Sequence, residues 1–144
     1  MSSRLMTQLL GYAGLLPFFG FCFGFAALED WPRSISIQGF VIYSLAIFCF
    51  LAGALWGQEQ QVQSPSALST LIISNGLVLF GVASILTAQT MMAAVFLMIG
   101  YGALAWYEGR ISTLEPWYRA LRVRLTLGVV VAHLVFIALH VTGA

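Results

Sequence analysis

Thr126, His133 and His140 recur at intervals of seven residues near the end of the chain. On an α-helix this interval keeps side chains on one face, with a drift of about 20° per repeat. The residues between them are apolar or glycine, which is typical of a membrane helix. Because polar side chains inside a membrane usually face other helices, we expect this face to point into a bundle.

Two polar side chains are expected to lie at the same depth. His133 and Asn75 each lie eight residues beyond the start of a predicted span, and both spans start from the same side of the membrane. At 1.5 Å per residue, both reach about 12 Å into a hydrocarbon core about 30 Å thick. We therefore predict a hydrogen bond between Asn75 and His133, with Tyr101 nearby. Two roles fit this site: a bond that only joins helices, or a relay for protons or substrate.

The sequence gives little support to other chemistry. Both histidines lie on one helix, so a single chain could not place them on opposite faces of a haem iron. No nucleophile is paired with a base in a recognisable pattern, and no HExxH pair occurs. Glu59, Glu108 and Glu115 lie in loops or at the interface, where we expect them to neutralise arginines. We predict no catalytic residue, no cofactor and no metal ion.

The composition indicates a membrane protein. Apolar residues make up 60% of the chain and charged residues 8%, whereas about a quarter of the residues in a soluble domain are charged. The net charge is only +1, and most basic residues lie in one loop, which argues against nucleic-acid binding. Cys22 and Cys49 lie within apolar runs, so we interpret them as packing residues rather than as a disulfide or as metal ligands.

Five apolar segments are long enough to cross a bilayer. The predicted fold is all-α, a single-domain bundle of five transmembrane helices with spans at about 9–28, 38–57, 67–87, 91–107 and 125–141. We expect Pro17 to bend the first span, because proline removes one backbone donor. Only a short connection separates the third and fourth spans, so these two should form an antiparallel hairpin.

Turn and capping residues predict several helix ends. Residues 29–33 should form the turn after the first span. Ser64 followed by Pro65 predicts the start of the third helix. The S-x-x-E pattern at 112–115 predicts a capping box and a helix that runs from the interface into the fifth span.

The arginines predict the orientation of the chain. All six basic residues are arginine, and four of them lie between Trp106 and Leu125. With five spans, the N-terminus and the loops at 58–66 and 108–120 share one side, which then carries every arginine except Arg33. The positive-inside rule therefore predicts a cytoplasmic N-terminus and a C-terminus on the opposite side.

Arg122 and Arg124 should have different roles. Residues two apart on a helix point about 200° from one another, so one can face the bundle while the other reaches lipid phosphate. We expect Arg124 to face inward and to pair with Glu59 or Glu108, and Arg122 to bind anionic headgroups. Arg119, in the same segment, can also reach phosphates by extending its side chain along the interface.

Three segments resemble a known family: GYAGLLPF at 11–18, YSLAIFCFLAGALWG at 43–57, and residues 116–131. They are similar to a bacterial and organellar membrane-protein family of unknown function that includes eukaryotic transmembrane protein 69. The resemblance implies an energy-transducing membrane, here the bacterial inner membrane, and supplies no reaction. The positions that match its motifs are Tyr43, Gly53, Trp56, Gly57, Trp117, Tyr118, Arg122, Arg124 and Thr126.

Two classes of function are favoured, and an enzyme or lipid-modifying activity stays open as a third. Small residues on many helix faces favour an accessory, assembly or scaffolding subunit of a membrane complex, which would bind other subunits or a second copy of itself. The alternative is an oligomeric transporter or channel for a small solute, which the predicted layer of Asn75, Tyr101 and His133 favours. A cavity that reaches this layer would support the alternative.

Overall fold

The computed structural model describes residues 2–62, 65, 67–111 and 115–143, except the side chains at 59, 61, 62 and 111. These residues form helices and no strand: α1 (Ser3–Ala13), α2 (Leu16–Ala27), α3 (Asp30–Val62), α4 (Ala67–Thr87), α5 (Thr90–Ile111) and α6 (Pro116–Val141). α1 and α2 together make the first of five segments that are long and apolar enough to cross a membrane. The predicted all-α fold with five spans is confirmed, and the protein is a multi-pass membrane protein.

The first span is broken near its middle. α1 ends at Ala13 and α2 begins at Leu16, with Pro17 at the second position of α2. Because proline has no N–H to donate to the carbonyl of Ala13, the helix cannot continue unbroken. The hydroxyl of Tyr43 on α3 donates to the next carbonyl, that of Gly14, at 2.9 Å. The chain is thus interrupted at the position that Pro17 predicted, and a side chain from another helix binds at the break.

α3 begins earlier than the sequence suggested. Only Leu28 and Glu29 separate it from α2, so the predicted turn at 29–33 is wrong. Asp30 has a φ of 55°, a left-handed conformation that aspartate tolerates better than most residues. Pro32 follows in the first turn, where a missing N–H costs no helical hydrogen bond.

α6 runs from the interface into the membrane as a single helix, as predicted. Its N-cap is Glu115, whose side chain makes no hydrogen bond to the helix backbone. The predicted capping box at 112–115 has no counterpart to compare, because residues 112–114 lie outside the described part of the chain. The same holds for Ser64, the predicted cap of α4.

α3 forms the centre of the bundle. It packs against α2, α4 and α5, while α6 packs against α5 and both halves of the first span. α4 and α5 contact each other, as their short connection predicted. A Cβ added at Gly81 of α4 or at Gly100 of α5 would lie 3.0 or 2.9 Å from the ring of Phe48. The ring of Phe48 therefore fills the space that these two glycines leave.

Four buried phenylalanines join α2, α3 and α6. The rings of Phe40 on α3 and Phe136 on α6 stack with their centres 4.2 Å apart. Phe18 and Phe25 of α2 meet this pair edge-on, each at a centre-to-centre distance of 5.5 Å. This aromatic cluster encloses the imidazole of His133, whose centre lies 4.9 Å from that of Phe40.

Candidate functional site: a buried polar cluster and a cavity beside it

The buried polar cluster consists of His133 of α6, Ser44 of α3 and Tyr101 of α5. Nε2 of His133 lies 2.7 Å from Oγ of Ser44, and Nδ1 lies 2.8 Å from the carbonyl oxygen of Val129. A carbonyl only accepts, so Nδ1 carries the proton, and Nε2 of the neutral ring accepts from the serine hydroxyl. The hydroxyl of Tyr101 donates to the carbonyl of Ser44 at 2.6 Å. Each of these buried polar groups therefore has a partner, as stable burial requires.

The predicted hydrogen bond between Asn75 and His133 is not formed. Asn75 is exposed on α4, and its side-chain nitrogen donates to the carbonyl of Leu71, one turn earlier, at 2.8 Å. α4 packs against α3 and α5, whereas α6 packs against α5 and the first span. The two residues lie at similar depths along their helices, but depth does not determine the direction in which a side chain points. Tyr101 does lie near the histidine, with ring centres 5.5 Å apart.

Ser44 is the member of this cluster that the sequence analysis did not select. Serines in membrane helices commonly bond to the carbonyl one turn earlier and then need no other partner. Ser36 and Ser84 do so here, at 3.0 and 2.7 Å. A serine within an apolar run is therefore a weak signal. The one available hint was its position beside Tyr43, in a segment that carries the family resemblance.

The face of α6 that carries Thr126, His133 and His140 points into the bundle, as predicted. Thr126 borders a cavity shared with α1 and α2. The ring centre of His133 lies 5.7 Å from that of Phe18, and that of His140 lies 4.8 Å from that of Phe25. The two histidines nevertheless have different surroundings, because Nε2 of His140 has no hydrogen-bond partner among the described residues.

An ion pair joins α5 and α6 at the membrane face where the N-terminus lies. Nε and Nη2 of Arg122 donate to the two carboxylate oxygens of Glu108, at 3.1 and 2.9 Å. The two side chains are only 10% and 12% exposed. Such a two-point bond between a planar guanidinium and a carboxylate is the strongest form of this ion pair.

This pairing reverses the predicted roles of the two arginines. Arg122 faces the bundle, and Arg124 is exposed on the outer side of α6. The expectation that the two residues point in different directions was right, but the choice of Arg124 as the inward one was wrong. The side chain of Glu59, the other predicted partner, lies outside the described part of the structure. Arg119 is exposed and reaches the carbonyl of Gly109 at 3.5 Å.

A cavity of about 380 Å³ lies between the first span, α3 and α6. Thr7, Tyr118 and Arg122 border it at the membrane face that carries the ion pair, and Tyr101 and Val129 border it toward the membrane centre. Its volume falls within the range of about 300–1,000 Å³ that small-molecule sites occupy. The cavity thus reaches the polar cluster through Tyr101. His133 is not among the residues that line it.

The remaining positions of family resemblance lie on exposed faces or near the cavity. Gly53 and Trp56 are exposed on α3, and a Cβ added at Gly53 or Gly57 would meet nothing within 4 Å in the described structure. Trp117, at the start of α6, has the guanidinium of Arg4 over its ring at 5.1 Å. This cation–π contact joins the start of α1 to the start of α6.

The described residues hold no group of three or more histidines, cysteines or carboxylates that could bind a metal ion. Both cysteines are free. The thiol of Cys22 is buried against α6, 3.6 Å from the carbonyl oxygen of Ala132. This contact agrees with our interpretation of Cys22 as a packing residue.

Comparison with known proteins identifies a family but no activity. Comparison with curated proteins and with solved structures found no match. The family model described as "Protein of unknown function (DUF3429)" matches residues 3–138, which include both candidate sites, the first four spans and all but the last three residues of the fifth. The chain therefore belongs to this family of proteins of unknown function.

Proposed function

We propose that this protein is an accessory, assembly or scaffolding subunit of a larger complex in the bacterial inner membrane. Its docking face would be the side of α3 that carries Gly53 and Gly57. Membrane helices associate mainly by close packing, which glycines four residues apart permit. The observation that carries the proposal is that a Cβ at either glycine would meet nothing within 4 Å in the described structure.

The chain uses glycines differently inside the bundle. Gly81 and Gly100 are covered by the ring of Phe48, and Gly24 of α2 lies directly against Ser36 of α3. These three glycines make contacts between helices of the same chain. Gly53 and Gly57 on the docking face of α3 have no such contacts in the described structure. A helix of a partner could therefore approach them as closely as the helices of this chain approach one another.

The buried polar cluster supports a scaffold more than a relay. A relay for protons needs groups that can exchange partners along a path. Here His133, Ser44 and Tyr101 bond to one another and to backbone carbonyls. This arrangement fits hydrogen bonds that fix α3, α5 and α6 relative to one another.

The distribution of charge supports the proposed membrane and orientation. The end of the bundle that holds the N-terminus carries Arg4, Arg110, Arg119, Arg122 and Arg124, and the opposite end carries Arg33. By the positive-inside rule the N-terminus then lies in the cytoplasm and the C-terminus in the periplasm. The resemblance to the family that includes eukaryotic transmembrane protein 69 belongs to the same proposal, and it implies an energy-transducing membrane without supplying a reaction.

The test is purification from native membranes in a gentle detergent, followed by mass spectrometry of the proteins that remain bound. We expect stoichiometric partners, which the variant Gly53→Leu loses because its side chain fills the docking face. Gly76→Leu is the matched control, since Gly76 is an equally uncovered glycine on α4. Recovery of a lone monomer, or equal loss of the partner in both variants, would contradict the proposal.

A second candidate function is transport of a small solute by an oligomer, and the cavity that reaches Tyr101 favours it. If the cavity is part of a transport path, a cysteine placed at Thr126 will react with a charged thiol reagent added from one side of the membrane. The background for this test replaces Cys22 and Cys49 with alanine. Protection of this cysteine in vesicles of both orientations would count against transport.

A further inference from the structure

The cavity beside α6 is an apolar channel along this helix, and its volume of about 380 Å³ leaves room for part of one hydrocarbon chain. On α6 it extends from Tyr118 and Arg122, near the interface, to Val129. The seven residues from Arg122 to Val129 correspond to about 10 Å along a helix, or about a third of the hydrocarbon core. The cavity therefore begins at headgroup level and ends among apolar side chains inside the membrane.

The walls between the two ends are apolar except at Thr126. They consist mainly of leucine, isoleucine and phenylalanine side chains: Leu10, Leu15, Ile47, Leu51 and Leu125, with Phe18 at the inner end. A cavity with such walls offers water few polar partners, so an apolar group fills it better. At the inner end, the hydroxyl of Tyr101 already donates to the carbonyl of Ser44. The hydroxyl of Tyr101 is thus not free to donate to a carbonyl-bearing ring such as a quinone.

The outer end of the cavity offers donors to an anion. Glu108 accepts from Nε and Nη2 of Arg122, which leaves the Nη1 amino group of this cavity-lining side chain without a hydrogen-bond partner among the described residues. The side chains of Thr7 and Tyr118 border the same end, where the hydroxyl of Thr7 already donates to the carbonyl of Ser3 at 2.8 Å. A guanidinium with a tyrosine hydroxyl beside it is a typical environment for phosphate. By sequence this end of the bundle also carries five arginines against three glutamates, a balance that attracts anionic lipids.

We infer that this cavity binds an anionic phospholipid, with one acyl chain between the first span, α3 and α6 and the phosphate at Arg122 and Tyr118. The site differs from a general attraction of headgroups to exposed arginines, because it requires both the apolar channel and the inward arginine. Gly53 and Gly57 of the proposed docking face do not line the cavity, although Phe50, on the same side of α3, does. A bound lipid would fill the space beside the break between α1 and α2.

The test is native mass spectrometry of the purified full chain, titrated with phosphatidylglycerol or with phosphatidylcholine of the same acyl chains. We expect one tightly bound phosphatidylglycerol, with an affinity at least tenfold above that for phosphatidylcholine. Thr126→Phe, which places a ring in the cavity, should abolish this binding. Val123→Phe is the control on the lipid-exposed side of the same helix and should retain it. Circular dichroism verifies that both variants keep their helices.

A second pair of variants separates the inward arginine from net charge. Arg122→Gln combined with Glu108→Gln leaves the net charge unchanged and should remove the tenfold preference. Arg110→Gln removes one positive charge from an arginine that lies over Trp106, outside the cavity, and should change the preference less than twofold. If the double variant instead keeps the preference and Arg110→Gln removes it, net charge alone attracts the lipid. This result would overturn the inference.

Three further results would also overturn it. The first is equal affinity of the wild-type protein for the two phospholipids. The second is binding of glycerol 3-phosphate with the same affinity as the lipid, because the apolar channel would then contribute nothing. The third is displacement of phosphatidylglycerol by an equal concentration of a short-chain ubiquinone, which would identify an uncharged ring as the preferred occupant.

Discussion

Replacing Arg122 with alanine should strongly destabilise the bundle, whereas replacing Arg124 should not. Loss of Arg122 leaves the carboxylate of Glu108, only 12% exposed, without the guanidinium that bonds to both of its oxygens. Removing one partner of a buried ion pair costs about 3–5 kcal/mol, because the other charge stays buried and unpaired. Because the two side chains are still 10% and 12% exposed, we expect a cost at the lower end of this range, about 3 kcal/mol. Arg124 is exposed, and its loss should change the stability by less than about 0.5 kcal/mol.

The assay is unfolding of the purified protein by SDS in mixed micelles, followed by circular dichroism. The double variant Arg122→Gln with Glu108→Gln completes a thermodynamic cycle with the two single variants. It should be more stable than Arg122→Gln alone, because no charge is then stranded. Equal stability of Arg122→Ala and Arg124→Ala would refute the reasoning, and so would a double variant whose loss equals the sum of the two single losses.

Three further predictions test the packing and the topology. Ser44→Ala should lower the unfolding free energy in the same assay by about 1 kcal/mol, because Nε2 of His133 loses its donor, while the exposed Asn75→Ala should have little effect. Gly100→Ala should cost about 1–3 kcal/mol, since its Cβ would press on the ring of Phe48, and Gly102→Ala on the same helix, with open space around it, should be nearly neutral. Equal effects within either pair would contradict these contacts. A phosphatase reporter fused to the C-terminus should be active only in the periplasm, and one inserted between the second and third spans should be inactive there. Activity of both fusions would show that the number of spans is wrong.

The hydrophobic pattern of the chain determined its fold class. Five apolar segments of span length leave few alternatives in a bilayer, because every backbone polar group must be paired within a helix. The break in the first span was also predictable, since the missing N–H of Pro17 acts locally, whatever surrounds the helix. The hairpin of α4 and α5 followed from the length of its connection. Each of these features depends on covalent structure or on short-range geometry.

The partners of the polar side chains depended on the tertiary structure. Spacing showed that Thr126, His133 and His140 share a face and that Arg122 and Arg124 point apart, but it did not show the rotation of α6 about its own axis. That rotation results from packing on α2, α3 and α5, through contacts such as the stacking of Phe136 on Phe40. The partner of Arg122 could therefore not be identified from spacing alone.

The partner of His133 could not be identified from spacing alone either. Depth along a helix can be counted in the sequence, and it led to Asn75 as the partner of His133. α6 packs mainly on α5 and the first span, and its side chains also meet α3, which presents Ser44 as the partner of His133. The sequence by itself determined how far each side chain lies within the membrane. Only the packing of the helices, a long-range property, decided which side chains meet.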